Sequence, residues 1–149
     1  MNEDTFHLGI KAIIKNEKNE ILLLRINPKK LIVTDDWKGE VYWDIPGGRI
    51  KKGDSVDETL RKEVEEETGI QRIDKIIPFT IVLANIRIPV KNNQTVGLML
   101  SSYLCTVKSI KNIKLSDEHV EAKWFSPKIA AKNLSFKYPK EFTKKISVL

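Results

Sequence analysis

The sequence has 149 residues, of which 41% are hydrophobic, and this predicts a single domain over residues 1–149 with a core of its own. No apolar run is long enough to span a membrane, and the N-terminus lacks the basic and apolar segments of a secretory signal. A lone cysteine, Cys105, excludes an internal disulfide and favours the cytoplasm, while the net charge of +6 comes from scattered lysines without a nucleic-acid-binding motif.

The first part of the chain predicts a β-hairpin, a loop and a short strand. Residues 6–14 are apolar and β-branched, and a second apolar run, ILLLRI at residues 21–26, follows the polar turn at residues 16–20. Residues 27–39 are polar and contain a proline, which indicates a loop. Residues 41–46 (VYWDIP) predict a short strand that leads into a pair of glycines.

The strongest helix signal covers residues 55–68 (SVDETLRKEVEEET). Ser55 and Glu58 form a capping box at its start, and Gly69 stands where helices end in the left-handed conformation. Apolar residues repeat at every fourth position and predict one buried stripe, which consists of Val56, Leu60 and Val64.

Three glutamates, Glu63, Glu66 and Glu67, lie on or beside this stripe. Their spacing brings the carboxylates together at the edge of a buried face, where an unpaired charge is costly. Either their pKa values rise or a cation neutralises them, and hard divalent ions such as Mg²⁺ or Mn²⁺ prefer oxygen ligands. Because glycine permits close approach, we expect the carbonyl group of Gly47 to reach the same ion.

The second half predicts strands at residues 73–84, 86–90, 95–107 and 121–125, with the longest at the centre of a sheet and a polar connection over residues 108–117. Ser126 and Pro127 begin a helix that runs to about Asn133. Pro139 begins a C-terminal helix whose Phe142, Ile146 and Leu149 face the core. This pattern predicts an α/β (α+β) fold, with helices on both faces of a mixed sheet.

The segment from Gly48 to Ile70 resembles the Nudix box, a glycine-rich turn that leads into an acidic helix. The matching positions are Gly48, Glu63, Val64, Glu66, Glu67, Gly69 and Ile70, whereas Asp54 stands in place of the family's Glu and Lys62 in place of its Arg. In the family these two side chains brace the loop, so the resemblance implies loop support from Gly48, Asp54, Lys62 and Gly69. It also implies the Nudix fold, an α/β/α sandwich with a mixed β-sheet.

The resemblance implies Mg²⁺-dependent hydrolysis of a phosphoanhydride bond in a nucleoside diphosphate linked to another moiety, with Mn²⁺ as a substitute. It implies that Glu66 and Glu67 are the main metal ligands, that the Gly47 carbonyl is a third, and that Glu63 is a ligand or the general base. Glu118 lies in a late segment that also resembles the family, and is either an extra ligand or base, or a solvated loop acid. We expect its neighbour His119 to be a surface residue and Glu121 to be structural.

The substrate is less well defined by the sequence. Arg25 and Arg87 are candidates to hold a phosphate, and Trp37, Tyr42 and Phe79 are candidates to stack on a nucleobase, although each suits a structural role. Three alternatives stay open: a house-cleaning (d)NTP pyrophosphatase, an RNA 5′-end pyrophosphohydrolase and a catalytically silent nucleotide-binding module. We expect a small nucleotide as partner and no membrane. An RNA 5′ end and a homodimer also stay open.

Overall fold

The computed structural model describes residues 2–31, 41–108, 110 and 112–149. Most of the predicted loop at residues 27–39, including Trp37, therefore lies outside the described residues. The described strands are β1 (Phe6–Lys15), β2 (Ile21–Ile26), β3 (Trp43–Asp44), β4 (Gly47–Arg49), β5 (Lys75–Leu83), β6 (Ile88–Pro89), β7 (Thr95–Thr106) and β8 (His119–Phe125). The α-helices are α1 (Val56–Thr68), α2 (Pro127–Asn133) and α3 (Lys140–Ser147), and a short 3₁₀ turn covers Pro28–Lys30.

The described strands form one mixed sheet in the order β3-β2-β1-β7-β5. β1 and β7 run parallel to each other from the Phe6–Gly97 pair to the Lys15–Thr106 pair, and the other pairings are antiparallel. The hairpin of β1 and β2 and the central place of the longest strand are thus confirmed. β4 and β8 pair with β1 and β2, respectively, and so bring two distant chain segments to the same part of the sheet.

Helices cover both faces of the sheet, as predicted. On one face, Leu60 and Val64 of α1 pack in a buried cluster with Ile10 and Ile14 of β1. On the other face, α2 and α3 contribute to a second cluster that contains Ala130, Leu134, Tyr138, Phe142 and Ile146. Among the described residues, no helix combines the length and hydropathy needed to cross a bilayer.

The predicted ends of α1 are confirmed. Ser55 caps the helix, because its Oγ accepts a hydrogen bond from the backbone N–H of Glu58 at 3.1 Å. Gly69 ends it with a φ of +79°, in the left-handed region that glycine tolerates best. The last strand begins earlier than predicted, at His119, and this places one more side chain beside the end of α1.

Replacing Ser55 with alanine should lower the free energy of unfolding by about 1 kcal/mol, because one N-terminal amide of α1 loses its hydrogen-bond acceptor. Urea denaturation followed by circular dichroism measures this change. Ser55→Asp is the matched control and should keep most of the stability, since a carboxylate also caps helices well. Equal losses in both variants would contradict this role of the side chain.

Candidate functional site

A cavity of about 270 Å³ opens beside the C-terminal half of α1 and the glycine turn. Part of its lining is apolar and includes Leu98 and Leu100 of β7, which belong to the core cluster on the α2–α3 side of the sheet. Ionisable side chains form another part of the lining, and these include Lys11, Asp44, Glu67, Glu118, His119 and Lys137. The cavity thus combines an apolar surface with a dense group of charges.

The three glutamates of α1 differ in their exposure, as the helical pattern predicts. Glu67 follows Leu60 by two turns and is only 3% exposed. Glu63 is half-buried one turn earlier, while Glu66 is exposed on the flank. The carboxylate of Glu67 is held from the glycine turn, since its Oε1 accepts a hydrogen bond from the N–H of Gly47 at 3.2 Å.

The two glycines of the turn permit close contacts that a side chain would prevent. A Cβ atom on Gly48 would lie 2.5 Å from the carboxyl carbon of Glu63, so the absence of this atom leaves room for that carboxylate. A Cβ atom on Gly47 would lie 2.2 Å from the backbone oxygen of Ile10. Gly47 therefore fits the turn against β1, whereas Gly48 fits the turn against an acid of α1.

Glu118 and His119 approach Glu67 from the far side of the cavity. Pairing of β8 with β2 positions them, and the carbonyl of Glu118 accepts a hydrogen bond from the N–H of Asn27 at 2.9 Å. Carboxylate oxygens of Glu67 and Glu118 and a ring nitrogen of His119 all lie within 4.8 Å of one another. The structure thus brings Glu118 to the acids of α1 across 51 residues of sequence.

The expectation that His119 is a surface residue is wrong. The residue is 8% exposed because it begins β8 rather than ending the preceding loop. Its Nδ1 is buried with no hydrogen-bond partner among the described residues and lies 3.9 Å from Oε2 of Glu67. This distance is too long for a hydrogen bond, but it suits two atoms that bind one cation, since each such bond is about 2.0–2.3 Å long.

The electrostatics of the cluster indicate a missing positive charge. The pKa of Glu67 is raised to about 8, chiefly by burial and in smaller part by the charges of Asp44 and Glu63, against the opposing effects of Lys11 and the N–H of Gly47. The pKa of Glu63 is also raised, first by burial and then by Glu66 and Glu118. Burial lowers the pKa of His119 to about 4, so the imidazole is neutral near pH 7 and keeps a lone pair for a cation.

A second group of buried charges surrounds Asp44, which is 3% exposed. Its Oδ2 accepts hydrogen bonds from the Nζ atoms of Lys11 at 3.3 Å and Lys137 at 2.6 Å. Its Oδ1 accepts from the hydroxyl of Tyr138 at 2.6 Å and from the N–H of Ile45 at 2.8 Å. Burial alone would raise the pKa of Asp44, but the two ammonium groups outweigh this effect and hold it well below its usual range.

Sequence reasoning missed the group around Asp44 because its members come from three distant segments. The one available signal was Lys11, a charged residue inside the apolar run of β1. Such a residue is either exposed on one face of the strand or paired within the protein. The sequence does not indicate that its partner is Asp44, which lies 33 positions away.

Only some of the predicted substrate-binding residues line the cavity. Tyr42 and Arg87 line the cavity; the ring of Tyr42 stacks on Phe136 with 5.0 Å between centroids, and the guanidinium of Arg87 forms two hydrogen bonds with Asp4. Arg25 is not among the residues that line the cavity and lies 3.7 Å from Glu121. Phe79 packs edge-on against Phe142 of α3 in the core. Trp37 is outside the described residues.

The two positions that depart from the Nudix box, Asp54 and Lys62, are both exposed. They line a shallow groove beside the outer face of α1, together with Glu66. Within the described part of the chain they form no ion pair with each other. Asp57 and Arg61 pair on the same face at 3.0 Å.

Comparison with known proteins identifies the family. The family model for the NUDIX domain matches residues 5–146. The chain belongs to the Nudix family. The resemblance to the family and the expected Nudix fold are therefore confirmed.

Individual Nudix proteins share the fold with this chain, but their sequence identity to it is low. A segment of 61 residues, 41% of this chain, is 36% identical to a Bacillus subtilis (strain 168) protein provisionally named 8-oxo-dGTP diphosphatase, and it spans 34% of that protein's length. The crystal structure of a MutT protein from Methanosarcina mazei Go1 has a TM-score of 0.63 and 25% identity, covering 99% of this chain and 95% of that one. The E. coli dihydroneopterin triphosphate pyrophosphohydrolase has a TM-score of 0.66 and 16% identity, covering 97% and 94%, and this likeness concerns the fold alone.

The two glycines of the turn should respond differently to alanine. Gly47→Ala should reduce thermal stability strongly, because the new methyl group meets the backbone of β1. Gly48→Ala should change the melting temperature little, because it meets only the end of the Glu63 side chain, which can move. The displaced carboxylate should nevertheless weaken the stabilisation by added Mn²⁺. Differential scanning fluorimetry with and without Mn²⁺ tests both expectations, and similar behaviour of the two variants would contradict them.

The raised pKa of Glu67 predicts a pH dependence of stability in the presence of a chelator. Because the folded chain binds this proton more tightly than the unfolded chain, stability falls as pH rises from the ordinary value of 4.5 to about 8. Glu67→Gln lacks this titration. The free energy of unfolding of the variant should therefore rise relative to that of the wild type by roughly a few kcal/mol across that range. Urea denaturation at several pH values measures the difference, and parallel curves for the two proteins would contradict the assignment.

Proposed function

We propose that this chain is a nucleotide pyrophosphohydrolase that uses a divalent metal ion to cleave a phosphoanhydride bond in a nucleoside diphosphate linked to another moiety. One observation carries the proposal: Glu67, Glu118 and the unpartnered Nδ1 of His119 converge at the cavity. A phosphoanhydride resists water because its own negative charges repel a nucleophile. A site for this reaction therefore needs a cation beside a space for a nucleotide.

The donor atoms present fit a hard divalent cation. Glu67, Glu118 and His119 would hold it, with Glu63, Glu66 and the carbonyl of Gly47 as further candidates. Carboxylate and carbonyl oxygens favour Mg²⁺ or Mn²⁺, and one imidazole is compatible with Mn²⁺. When bound, the metal supplies charge screening for the phosphates and acidifies the attacking water.

Other residues of the chain would carry out proton transfer, orient the metal ligands and bind the phosphate. We assign proton transfer from the attacking water to Glu63, which is half-buried, has a raised pKa and lies outside the Glu67–Glu118–His119 group. Gly48 leaves room for this carboxylate, and the N–H of Gly47 orients Glu67. Glu118 is the alternative base. Arg87 lies where it can meet a phosphate, provided that the nucleotide displaces Asp4 from it.

The apolar part of the cavity lining supports a nucleotide as the substrate, because a nucleobase can be buried against it. The name of one relative, provisionally an 8-oxo-dGTP diphosphatase, supports the same class. A (d)NTP pyrophosphatase and an RNA 5′-end pyrophosphohydrolase are alternatives within this class. The single domain and the cytoplasmic location stay predictions from the sequence, and the homodimer stays open.

A catalytically silent nucleotide-binding module is the alternative from a different class. Asp54 and Lys62 favour it, since they depart from the family pattern and form no ion pair with each other in the described structure. The raised pKa values of Glu63 and Glu67 argue against it, because a module without a metal gains nothing from crowded acids. A panel of ADP-ribose, sugar nucleotides, dinucleoside polyphosphates, (d)NTPs, oxidised dNTPs and 5′-triphosphorylated RNA separates the alternatives.

With Mg²⁺ and this panel, the wild type should release phosphate or pyrophosphate from at least one compound. Glu66→Gln and Glu67→Gln should each reduce the turnover by more than about 100-fold, because each removes the charge of a proposed metal ligand, as the family resemblance implies for both. Glu65→Gln is the matched control and should leave turnover unchanged, since Glu65 is exposed and its carboxylate accepts from Gln71 instead. Nucleotide binding without any release would favour the silent module.

A further inference from the structure

Lys11, Asp44 and Lys137 form a buried group of charges that lines the cavity. Lys11 is 6% exposed and Lys137 is 7% exposed, and both ammonium groups donate to the same oxygen of Asp44. Both ammonium groups therefore lie in a region with little water, and the charge of Lys11 also stabilises the carboxylate of Glu67. A buried N–H donor without an acceptor is costly, so a ligand that accepts from these groups would be favoured.

The hydrogen-bonding capacity that this group of charges has left for a ligand consists of donors. A carboxylate offers about four acceptor positions, and Asp44 already accepts from Lys11, Lys137, Tyr138 and the N–H of Ile45. Asp44 therefore has no acceptor position left for a ligand. Each ammonium group has three N–H donors, and Asp44 is the one hydrogen-bond partner of either group among the described residues. This group of side chains thus offers hydrogen-bond donors to a ligand, but no hydrogen-bond acceptor.

The apolar part of the lining determines the shape of ligand that suits these donors. Ile86, Ile88, Leu98 and Leu100 also line the cavity, and an apolar surface suits a flat ring better than a hydrated phosphate. Because both ammonium groups touch the same oxygen of Asp44, their remaining N–H groups can converge on two neighbouring acceptors. The ligand expected here is a flat ring with two adjacent acceptors along one edge.

We propose that Lys11 and Lys137 select nucleotides with a 6-oxopurine base, such as guanine or hypoxanthine, over those with a 6-aminopurine base. This inference rests on the proposed function and deepens it. A 6-oxopurine offers O6 and N7 as adjacent acceptors, the pair that lysine and arginine recognise in guanine. Adenine has an amino group in place of O6, and this donor would face ammonium donors with no acceptor between them. Uracil and thymine carry a ring N–H between their two keto oxygens and therefore offer no such pair of adjacent acceptors.

The matched ligands for a test are IMP and AMP, which share the ribose and phosphate and differ only at C6 and N1 of the base. Neither has a phosphoanhydride bond, so calorimetric titration can be performed on the intact protein with Mg²⁺ present. The wild type should bind IMP about 10- to 100-fold more tightly than AMP, the discrimination expected of one bidentate contact. Equal affinities would overturn the proposal.

Lys137→Met should remove most of the preference for IMP by weakening IMP binding while leaving AMP binding nearly unchanged. Lys137→Arg should retain the preference, because a guanidinium offers the same donors. Lys132→Met is the matched control on the exposed side of α2 and should behave as the wild type. An equal loss of IMP and AMP affinity in Lys137→Met would overturn the proposal, since it would assign the lysine to the phosphate.

Should Lys137→Met fail to fold, as judged by circular dichroism, Lys11→Met provides the same comparison from the other donor. Hydrolysis of ITP and ATP by the wild type separates this inference from the proposed function. Turnover of both at equal kcat/KM would overturn the base preference and retain the pyrophosphohydrolase. Selective IMP binding without hydrolysis of any nucleotide would retain the base preference and overturn the enzymatic function.

Discussion

The burial of one carboxylate, that of Glu67, is the constraint on which the rest of the site depends. The residue occupies the apolar stripe of α1 where a hydrophobic side chain would stabilise the fold more, and burial raises its pKa to about 8. The surroundings compensate only in part. Gly47 donates one N–H, Lys11 contributes a positive charge at longer range, and Nδ1 of His119 lies nearby without a partner. The cost of this arrangement is explained if a cation completes it.

The sheet brings together side chains from distant segments of the chain, which a single helix cannot do. Parallel pairing of β1 with β7 fixes Lys11 and the apolar part of the lining, and pairing of β8 with β2 carries Glu118 and His119 to the end of α1. The pairing of β4 with β1 holds the glycine turn beneath the acids. Carboxylates, ammonium groups and apolar side chains therefore line one cavity. Such a combination suits a nucleotide, which carries an anionic group and a flat ring.

Much of the fold could be predicted because its signals are local. A capping box at Ser55, glycine at position 69 and apolar residues at every fourth position each specify α1 within a few residues. Apolar, β-branched runs and the turn residues between them likewise predicted β1, β2 and β7 to within one residue. The boundaries that differ are those set by pairing with distant strands, as at His119, where a partner on β2 extends a strand into a segment that reads as a loop.

By itself, the sequence determined the helix, its ordered acids and the family that they indicate, since all of these lie within the 23 residues from Gly48 to Ile70. Only the tertiary structure decided that His119 is buried beside Glu67 and that Lys11, Asp44 and Lys137 share one group of hydrogen bonds. The physical reason is the sequence distance over which each kind of interaction acts. Helix caps and periodicity act over a few residues, whereas the partner of a buried charge is selected by strand pairing and packing between segments that lie tens of residues apart.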